Sequence, residues 1–491
     1  MNRHRHEQRR PGTPVALATA IAALIVLSVS GVCPAAGPEI FLQEEPETYL
    51  AIDKLEGMGF LQGLMTGTRG LEAQEVAREA EKDKEAGDPF TIGLLRFLQL
   101  SAAQRYDFRL RAGLEYSGDG RVPPNAQGWP VPEDGGVRVG GFFRAFPADW
   151  VSLQARGDFL VDFSGDAKGR VEETSIRLGW PQATLEGGIF SLWWGPGRHG
   201  SLLFTTNAET LIGVRLRNPR PILLGGWFRF LGLFQYDFFV SRLDDDDRPV
   251  ADPLLSGLRL AIKPTPWLEL GASRVMQWGG EGHSESLSTF FDVFLGKSAS
   301  PGNTPEGNSL ASLDAKIRIP FRAQPVVLYI EAGGEDQSGS GVPSRWAGMG
   351  GIFLPSIGEV KKADFRIEYG DIFTSKREVW YQHGGWPHRY KGRVLGHHMD
   401  TDGRDLFLEA HYFLPPSSYL EANLDITRRD FPGPEREEIW RVSGAIISWL
   451  TKNLRAVGRL TFEDVSNENG VSGQDSSDVI FRGEIAWQFP R

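Results

Sequence analysis

The chain has 491 residues, a net charge of −10 and a mean hydropathy of −0.27. Charges of both signs are scattered along it and form no basic stripe that would follow a phosphate backbone, which argues against nucleic acid as a partner. A bundle of membrane helices would be far more apolar. The strands of a membrane β-barrel instead alternate lipid-facing and water-facing residues, so their average resembles that of a soluble protein.

Residues 1–36 are predicted to be an export signal that is cleaved. A basic start precedes an uncharged apolar stretch at 15–32, and the small residues Ala35 and Ala36 follow, in the order of a secretory signal. An uncleaved anchor helix is the alternative, because about 18 apolar residues could just span a bilayer. Cys33, the only cysteine, would leave with the signal. Its lipidation is disfavoured because Val32 stands where lipoprotein signals have Gly or Ala.

Residues 37–104 are predicted to form a small helical region in the periplasm. Glycines at 57 and 59 end a first helix, whose apolar residues recur at helical spacing at Tyr49, Ile52, Leu55 and Met58. Thr68 is a candidate cap for a second helix through Glu81, and Asp88-Pro89 opens a third. The segment 49–77 resembles an S-layer-homology repeat. It lacks the Thr-Arg that usually precedes the acidic residue, so cell-wall binding is not inferred.

From Arg105 onward the apolar residues recur with a period of about 2, the spacing of β-strands. The interleaved residues are often charged, and Arg or Lys facing lipid at mid-bilayer costs about 2–4 kcal/mol. The charged face is therefore expected to line a wet lumen and the apolar face to contact lipid. The clearest examples are 106–116, 151–162, 268–272, 407–412, 419–426, 439–449 and 454–462.

This alternation would also suit a soluble sandwich or propeller. The export signal favours a membrane barrel, and so does the strand length of about 9–12 residues, which suits a tilted span. The last strand, Val479–Phe489, is amphipathic and ends in an aromatic residue, like the strand that outer-membrane assembly recognises, although Pro490 and Arg491 follow. The predicted fold is an all-β transmembrane barrel of about 18 antiparallel strands over 105–491.

The linkers between these strands are of two kinds, as expected for short periplasmic turns and long outer loops. Tight linkers lie at 180–182, 264–266, 415–417 and 451–453. Long linkers rich in Gly, Ser, Asn and Asp lie at 118–136, 244–252, 279–288, 296–309, 337–345, 382–405 and 465–478.

Three segments resemble the Wzi family of outer-membrane capsule-assembly proteins: GGIFSLWWGPGRHGSLLFTTNAE at 187–209, 253–282 with its QWGG, and GRDLFLEAHYFLPP near 405–415. The resemblance implies a non-enzymatic lectin in the outer membrane, without a cofactor, that holds capsular polysaccharide or exopolysaccharide at the cell surface. It also implies contact with outer-membrane lipids and lipopolysaccharide, and a periplasmic polysaccharide export protein as a further partner. Some related barrels are thought to be conduits, so a porin for polysaccharide export is an alternative function.

Candidate polysaccharide-binding residues lie in three aromatic-rich segments. Aromatic rings stack on the apolar faces of sugars, and arginine pairs with uronic carboxylates. Arg274 and Trp278 share one side of a strand and could line the lumen. The alternatives are an interfacial aromatic girdle, a structural ion pair in the lumen and ordinary loop packing. The candidate set is Trp193, Trp194, Arg198, His199, Arg274, Gln277, Trp278, Trp380 and Trp386.

Metal and enzyme hypotheses have weaker support. Asp400-Thr401-Asp402-Gly403 resembles a calcium loop but lacks the EF-hand spacing, and the neighbouring His397, His398 and Asp405 are interpreted as a polar outer loop without a metal. The sequence has no Gly-x-Ser-x-Gly, His-Glu-x-x-His or P-loop motif. Paired carboxylates for glycoside cleavage are a spatial feature, so a hydrolase stays as a further alternative.

Overall fold

The computed structural model describes residues 39–40, 45–85, 87–102, 106–180, 182–295, 306–321, 323–337, 343–372, 380–414, 417–431 and 435–489. The predicted export signal lies outside these residues. The strands in chain order are β1 Tyr106–Tyr116, β2 Gly136–Ala148, β3 Val151–Asp162, β4 Ala167–Trp180, β5 Ala183–Phe190, β6 Leu211–Arg217, β7 Ile222–Leu223, β8 Leu233–Arg242, β9 Leu254–Thr265, β10 Leu268–Trp278, β11 Gly307–Ile319, β12 Val326–Gln337, β13 Pro343–Leu354, β14 Ala363–Asp371, β15 Arg389–Tyr390, β16 Arg393–Val394, β17 Gly403–Phe413, β18 Tyr419–Asp430, β19 Arg436–Trp449, β20 Leu454–Ser466 and β21 Ser476–Phe489.

Eighteen of these strands pair antiparallel with their neighbours and close into a barrel, within the part of the chain that the structure describes. The two-residue β7 only extends the edge of β8, and β15 with β16 forms a separate small hairpin. The closing pair is β1 with β21, in which Leu110 lies opposite Trp487. The predicted barrel and strand number are confirmed.

The alternation of side chains along β21 follows from the two environments of the wall. Its outward residues are exposed large hydrophobics, whereas Ile480, Ala486 and Gln488 between them are buried. The other strands repeat this pattern, with charged side chains buried inside the barrel. The predicted orientation, with apolar residues outward and charged residues toward the lumen, is therefore confirmed. The outward residues of β21 are Val479, Phe481, Ile485, Trp487 and Phe489.

The described helices are α1 Pro46–Met58, α2 Ala73–Lys82, α3 Pro89–Ala102 and α4 Leu287–Phe294. None of them combines the length and apolar character needed to cross a membrane. Gly59 ends α1 in the left-handed region with φ 100°, and the Asp88 carboxylate accepts the Phe90 N–H at the start of α3, as predicted. The predicted start of the second helix at Thr68 is wrong. Residues 59–72 instead enter the barrel, where the Thr68 hydroxyl accepts a hydrogen bond from Arg259 of β9.

The helices α1 to α3 dock on the end of the barrel that carries the short turns, the periplasmic end of an outer-membrane barrel. Lys54 of α1 is fully buried and donates to the carbonyl of Pro355 and to Asp364 of β14. Glu47 at the start of α1 pairs with Arg455 of β20 at 3.2 Å. Buried apolar residues of the three helices also form one core with the wall residues Phe413, Tyr419, Ala445 and Ile447.

The outer half of the lumen is filled by loops that fold inward. Loop 191–210 and the described residues of loop 372–402 (372 and 380–402) contribute most of one large apolar core, which continues into inward-facing strand residues such as Phe239. Segment 59–72 reaches this core from the periplasmic side. The N–H of Gly195 donates to the carbonyl of Gly67 over 2.9 Å. The described residues thus form a plug that joins both ends of the barrel.

Candidate binding chamber

Two adjoining cavities lie between the plug and the inner wall. The larger, of about 330 Å³, lies between loop residues 123–126, loop 191–210 and the inward faces of β17 to β21. The second, of about 280 Å³, lies beside β1 and β2. Both are lined by Pro46, Ala126, Arg459 and Arg482, so they adjoin, and the two cavities together are called the chamber.

The chamber wall carries more cationic than anionic groups. Among the described residues that line it are eight arginines and five carboxylates. An excess of guanidinium groups in a partly desolvated space favours an anionic or strongly hydrogen-bonding ligand. The arginines are Arg111, Arg138, Arg156, Arg198, Arg441, Arg455, Arg459 and Arg482, and the carboxylates are Glu115, Glu409, Asp425, Glu463 and Glu484.

Arg198 and His199 are held at the chamber by their backbone. Their two N–H groups donate to the carboxylate oxygens of Glu368 in β14, over 2.6 and 2.9 Å. The Arg198 guanidinium lies 3.8 Å from Glu409, a longer separation than the 3.1 Å between Arg441 and Asp425. Arg198 is therefore fixed at its backbone and only loosely paired at its charged end, as a ligand-binding arginine would be.

Aromatic rings form the other part of the chamber lining. The indole N–H of Trp193 donates to the carbonyl of Gly197 over 3.1 Å, which fixes the ring at the wall. Phe407 of β17 lies parallel to the His199 ring with 3.8 Å between centroids. Burial opposes protonation of His199, but the carboxylates of Asp425 and Asp405 outweigh it and raise the pKa of His199 to about 9.

Three of the predicted tryptophans lie inside the plug, where their rings present no free face to a polymer. Trp194 is fully buried between Phe204 and Phe239, and its indole N–H donates to Asp237 over 3.2 Å. Trp380 is also fully buried, and Trp386 donates to the carbonyl of Gly279 over 3.0 Å. For Trp380 and Trp386 the alternative, loop packing, describes the environment. Trp194 lies in the same core and not in an aromatic girdle, which was its alternative.

The prediction that Arg274 and Trp278 line the lumen is wrong. Both belong to the outward face of β10, where α4 covers them: Trp278 packs against Phe290 and Arg274 lies over the ring of Phe294. Parity along a strand shows that two residues share a face but does not identify that face. Gln277 does face the lumen, where it accepts a hydrogen bond from Arg248 over 2.6 Å and thereby belongs to the plug.

Of the predicted set, the chamber brings together Trp193, Arg198 and His199. Sequence analysis did not single out Arg441, Arg459 or Phe407, although their positions in alternating strands were a usable signal. The residues of the polar segment near 400 lie in two different places: Asp400 pairs with Arg389, whereas His398 and Asp405 lie beside His199. The role of the chamber residues in glycan binding stays a prediction.

Comparison with known proteins gives a family and a fold. A family model described as capsule assembly protein Wzi matches residues 118–479. An uncharacterized 55.8 kDa protein in the cps region of Klebsiella pneumoniae is 29% identical over 292 residues, which are 59% of this chain and 57% of that protein. The chain thus matches little more than half the length of that relative.

Two solved structures are also similar. Escherichia coli Wzi is described as an outer-membrane protein involved in group 1 capsule assembly and as a carbohydrate-binding β-barrel. It matches with a TM-score of 0.74 at 23% identity, over 92% of this chain and 99% of that one. Pseudomonas aeruginosa OprD matches with a TM-score of 0.48 at 10% identity, over 78% and 94%. The Wzi match confirms the barrel fold.

Proposed function

Because the chain belongs to the Wzi family of capsule assembly proteins, we propose that this outer-membrane β-barrel binds capsular polysaccharide or exopolysaccharide and holds it at the cell surface. The E. coli relative is described as carbohydrate-binding. The chamber is the observation in this chain that supports the same function, and it suggests an acidic glycan rather than a neutral one.

The chamber combines the two kinds of group that acidic sugars need. Trp193 and Phe407 offer apolar ring surface, and the surplus of arginines offers partners for uronic carboxylates. Arg198 and Arg482 are the most available of these arginines, since each lies 3.8 Å from its carboxylate, Glu409 and Glu115 respectively. We propose that they contact the glycan directly.

The alternative of an open conduit has less support. A conduit needs a continuous path through the lumen, yet Gly67 and Gly195, from opposite ends of the barrel, are hydrogen-bonded to each other inside it. If the protein were a conduit, planar bilayers containing it would show glycan-blockable conductance. A binding protein with a plugged lumen would show none.

We also propose that the protein is not an enzyme. Glycoside hydrolysis requires a carboxyl group that can donate a proton to the leaving oxygen. In the larger cavity Asp425 and Glu463 are both bound by Arg441, and Glu409 lies 3.5 Å from Arg366. Carboxylates that already accept from arginine in this way are poorly placed to donate a proton to a leaving group.

We further propose lipopolysaccharide and a periplasmic export protein as neighbours in the assembled envelope.

The test of glycan binding uses the full chain in detergent and two probes, polygalacturonate as an acidic polymer and dextran as a neutral one. We expect retention of polygalacturonate only. Arg198→Ala should weaken binding about tenfold or more, because the glycan loses one charge-assisted hydrogen bond. The backbone hydrogen bond from residue 198 to Glu368 stays intact in this variant.

The matched control is Arg428→Ala, since Arg428 is an exposed arginine on the outer face of β18, paired with Glu438. It should leave binding unchanged. Equal retention of both polymers, or equal loss in both variants, would show that the chamber does not select an acidic glycan.

A further inference from the structure

Four side chains with metal-binding atoms converge at the outer end of the lumen. His199 comes from loop 191–210, His398 from loop 372–402, Asp405 from β17 and Asp425 from β18. One ligand atom from each lies within 4.8 Å of every other. Two imidazoles and two carboxylates from four separate elements thus surround a single point.

The distances between the imidazoles and the carboxylates are close to those around a tetrahedral ion. Bonds of about 2.1 Å from a metal to nitrogen and oxygen place neighbouring ligand atoms about 3.4 Å apart. His199 Nε2 lies 3.4 Å from Asp425 Oδ2 and 3.6 Å from Asp405 Oδ2. His398 Nε2 lies 3.8 Å from the same Asp425 oxygen and 3.4 Å from the second Asp405 oxygen, Oδ1.

His398 is the second, independent observation. It is 2% exposed, and neither of its ring nitrogens has a hydrogen-bond partner among the described residues. Leaving a buried polar group unsatisfied is costly. Two other buried histidines keep at least one ring nitrogen bonded: His388 bonds the carbonyl of Leu203, and His411 bonds Asp364. An ion at the cluster would satisfy the Nε2 atom of His398.

The surrounding groups orient three of the four ligands, Asp405, Asp425 and His199. The hydroxyl of Thr427 lies 2.9 Å from an oxygen of Asp405 and 3.1 Å from one of Asp425. Arg441 holds the other oxygen of Asp425, and the His199 ring is stacked on Phe407. Such outer contacts fix the rings and carboxylates of metal sites.

We propose that His199, His398, Asp405 and Asp425 bind one divalent transition-metal ion, with Zn²⁺ as the reference ion. Imidazole with carboxylate suits zinc and its neighbours in the first transition row, whereas Ca²⁺ and Mg²⁺ prefer oxygen ligands alone. The ion joins both inward loops to the barrel wall. Because His199 and Asp425 also line the chamber, it lies at the edge of that space.

The experiment measures metal binding in the absence of glycan, so its outcome is independent of the proposed function. Detergent-solubilised full-length protein is dialysed against a chelator and then titrated with Zn²⁺ by calorimetry, with bound metal counted by mass spectrometry. We expect one Zn²⁺ per chain and a rise in Tm on binding. Co²⁺ in the same site should give the visible spectrum of a tetrahedral ion.

His398→Gln and Asp405→Asn keep the volume of each side chain and remove its ligand character. Each should lower Zn²⁺ affinity by at least about 100-fold. The matched control is His283→Gln in the loop between β10 and α4, since His283 packs edge-on against Trp386 and is not one of the four clustered residues. Heat-modifiable mobility on gels shows whether each variant is folded. If wild-type protein takes up no Zn²⁺, or if the control loses as much affinity as the ligand variants, the proposal is overturned.

Discussion

Arg69 donates its backbone N–H to the carbonyl of Trp193 over 3.0 Å, and its guanidinium lies 5.8 Å from the centre of the Trp193 ring. Arg69 enters the lumen from the periplasmic helices, whereas Trp193 belongs to an outer loop and lines the chamber. Segment 59–72, which connects the periplasmic helices, is therefore in direct contact with the lining of the chamber.

Asp53 of α1 should be essential to this connection. Its carboxylate lies 3.3 Å from the guanidinium of Arg69 and 3.2 Å from that of Arg366. Burial raises the pKa of Asp53, but these two cations outweigh burial and hold the pKa far below its usual range. Asp53→Ala would remove the carboxylate beside the buried Arg69 guanidinium and one of the carboxylates beside Arg366, which keeps Glu409 at 3.5 Å. We therefore expect a loss of about 3–5 kcal/mol in the free energy of unfolding, measured by urea titration in detergent. Glu81→Ala, at an exposed pair with Lys84, should change it by less than about 0.5 kcal/mol. Similar losses in both variants would contradict the prediction.

His388 should make the plug sensitive to acid. Burial, aided by Arg248 and Arg389, lowers the pKa of His388 to about 4. The unfolded chain therefore takes up a proton near pH 6.5 that the folded protein does not accept until about pH 4. The contribution of neutral His388 to the free energy of unfolding is fully present above the unfolded pKa and is lost as the pH drops toward the folded pKa. The free energy of unfolding should fall by about 2 kcal/mol between pH 7 and pH 5. Urea midpoints across this range should show the loss in the wild type, and His388→Gln should flatten it. A slope unchanged in the variant would assign the acid sensitivity to other groups.

Gly396 should tolerate no side chain. A Cβ at this position would lie 2.3 Å from the carbonyl oxygen of Leu202 and 2.4 Å from the hydroxyl of Tyr381, because loops 191–210 and 372–402 touch there. We expect Gly396→Ala to cost about 1–3 kcal/mol as overpacking, measured as a lower Tm. Gly384→Ala in the same loop meets no atom within 4 Å and is the control, expected to be neutral. Equal Tm values for the two variants would mean that the loops are not packed this closely.

Leu460 tests which face of the wall contacts lipid. It lies at the middle of β20 and is 55% exposed, so Leu460→Arg should place a charge near the bilayer centre and cost about 2–4 kcal/mol. Val471→Arg has a similar starting exposure, 51%, but lies in an outer loop, where the charge stays in water. Reversible unfolding in phospholipid vesicles should separate the two variants by that amount. An equal loss in the two variants would argue against lipid contact at Leu460.

The sequence by itself determined the wall of the barrel. Burial in a strand alternates with period 2, so the local pattern at Val479–Phe489 was enough to predict its two faces and the closing strand. The ends of α1 and α3 were equally local, because Gly59 and Asp88 cap these helices through their own backbone and side-chain geometry. These features depend on neighbours a few residues away.

Only the tertiary structure decided what fills the barrel. Trp194 and Trp380 became core residues because loops folded inward, and Arg274 and Trp278 turned outward because the register of β10 fixed their face. His199, His398 and Asp425 meet across more than 200 residues of chain. Strand register and loop docking bring such groups together, and neither leaves a periodic signal in the sequence, so the chamber and the proposed metal site could not be read from it.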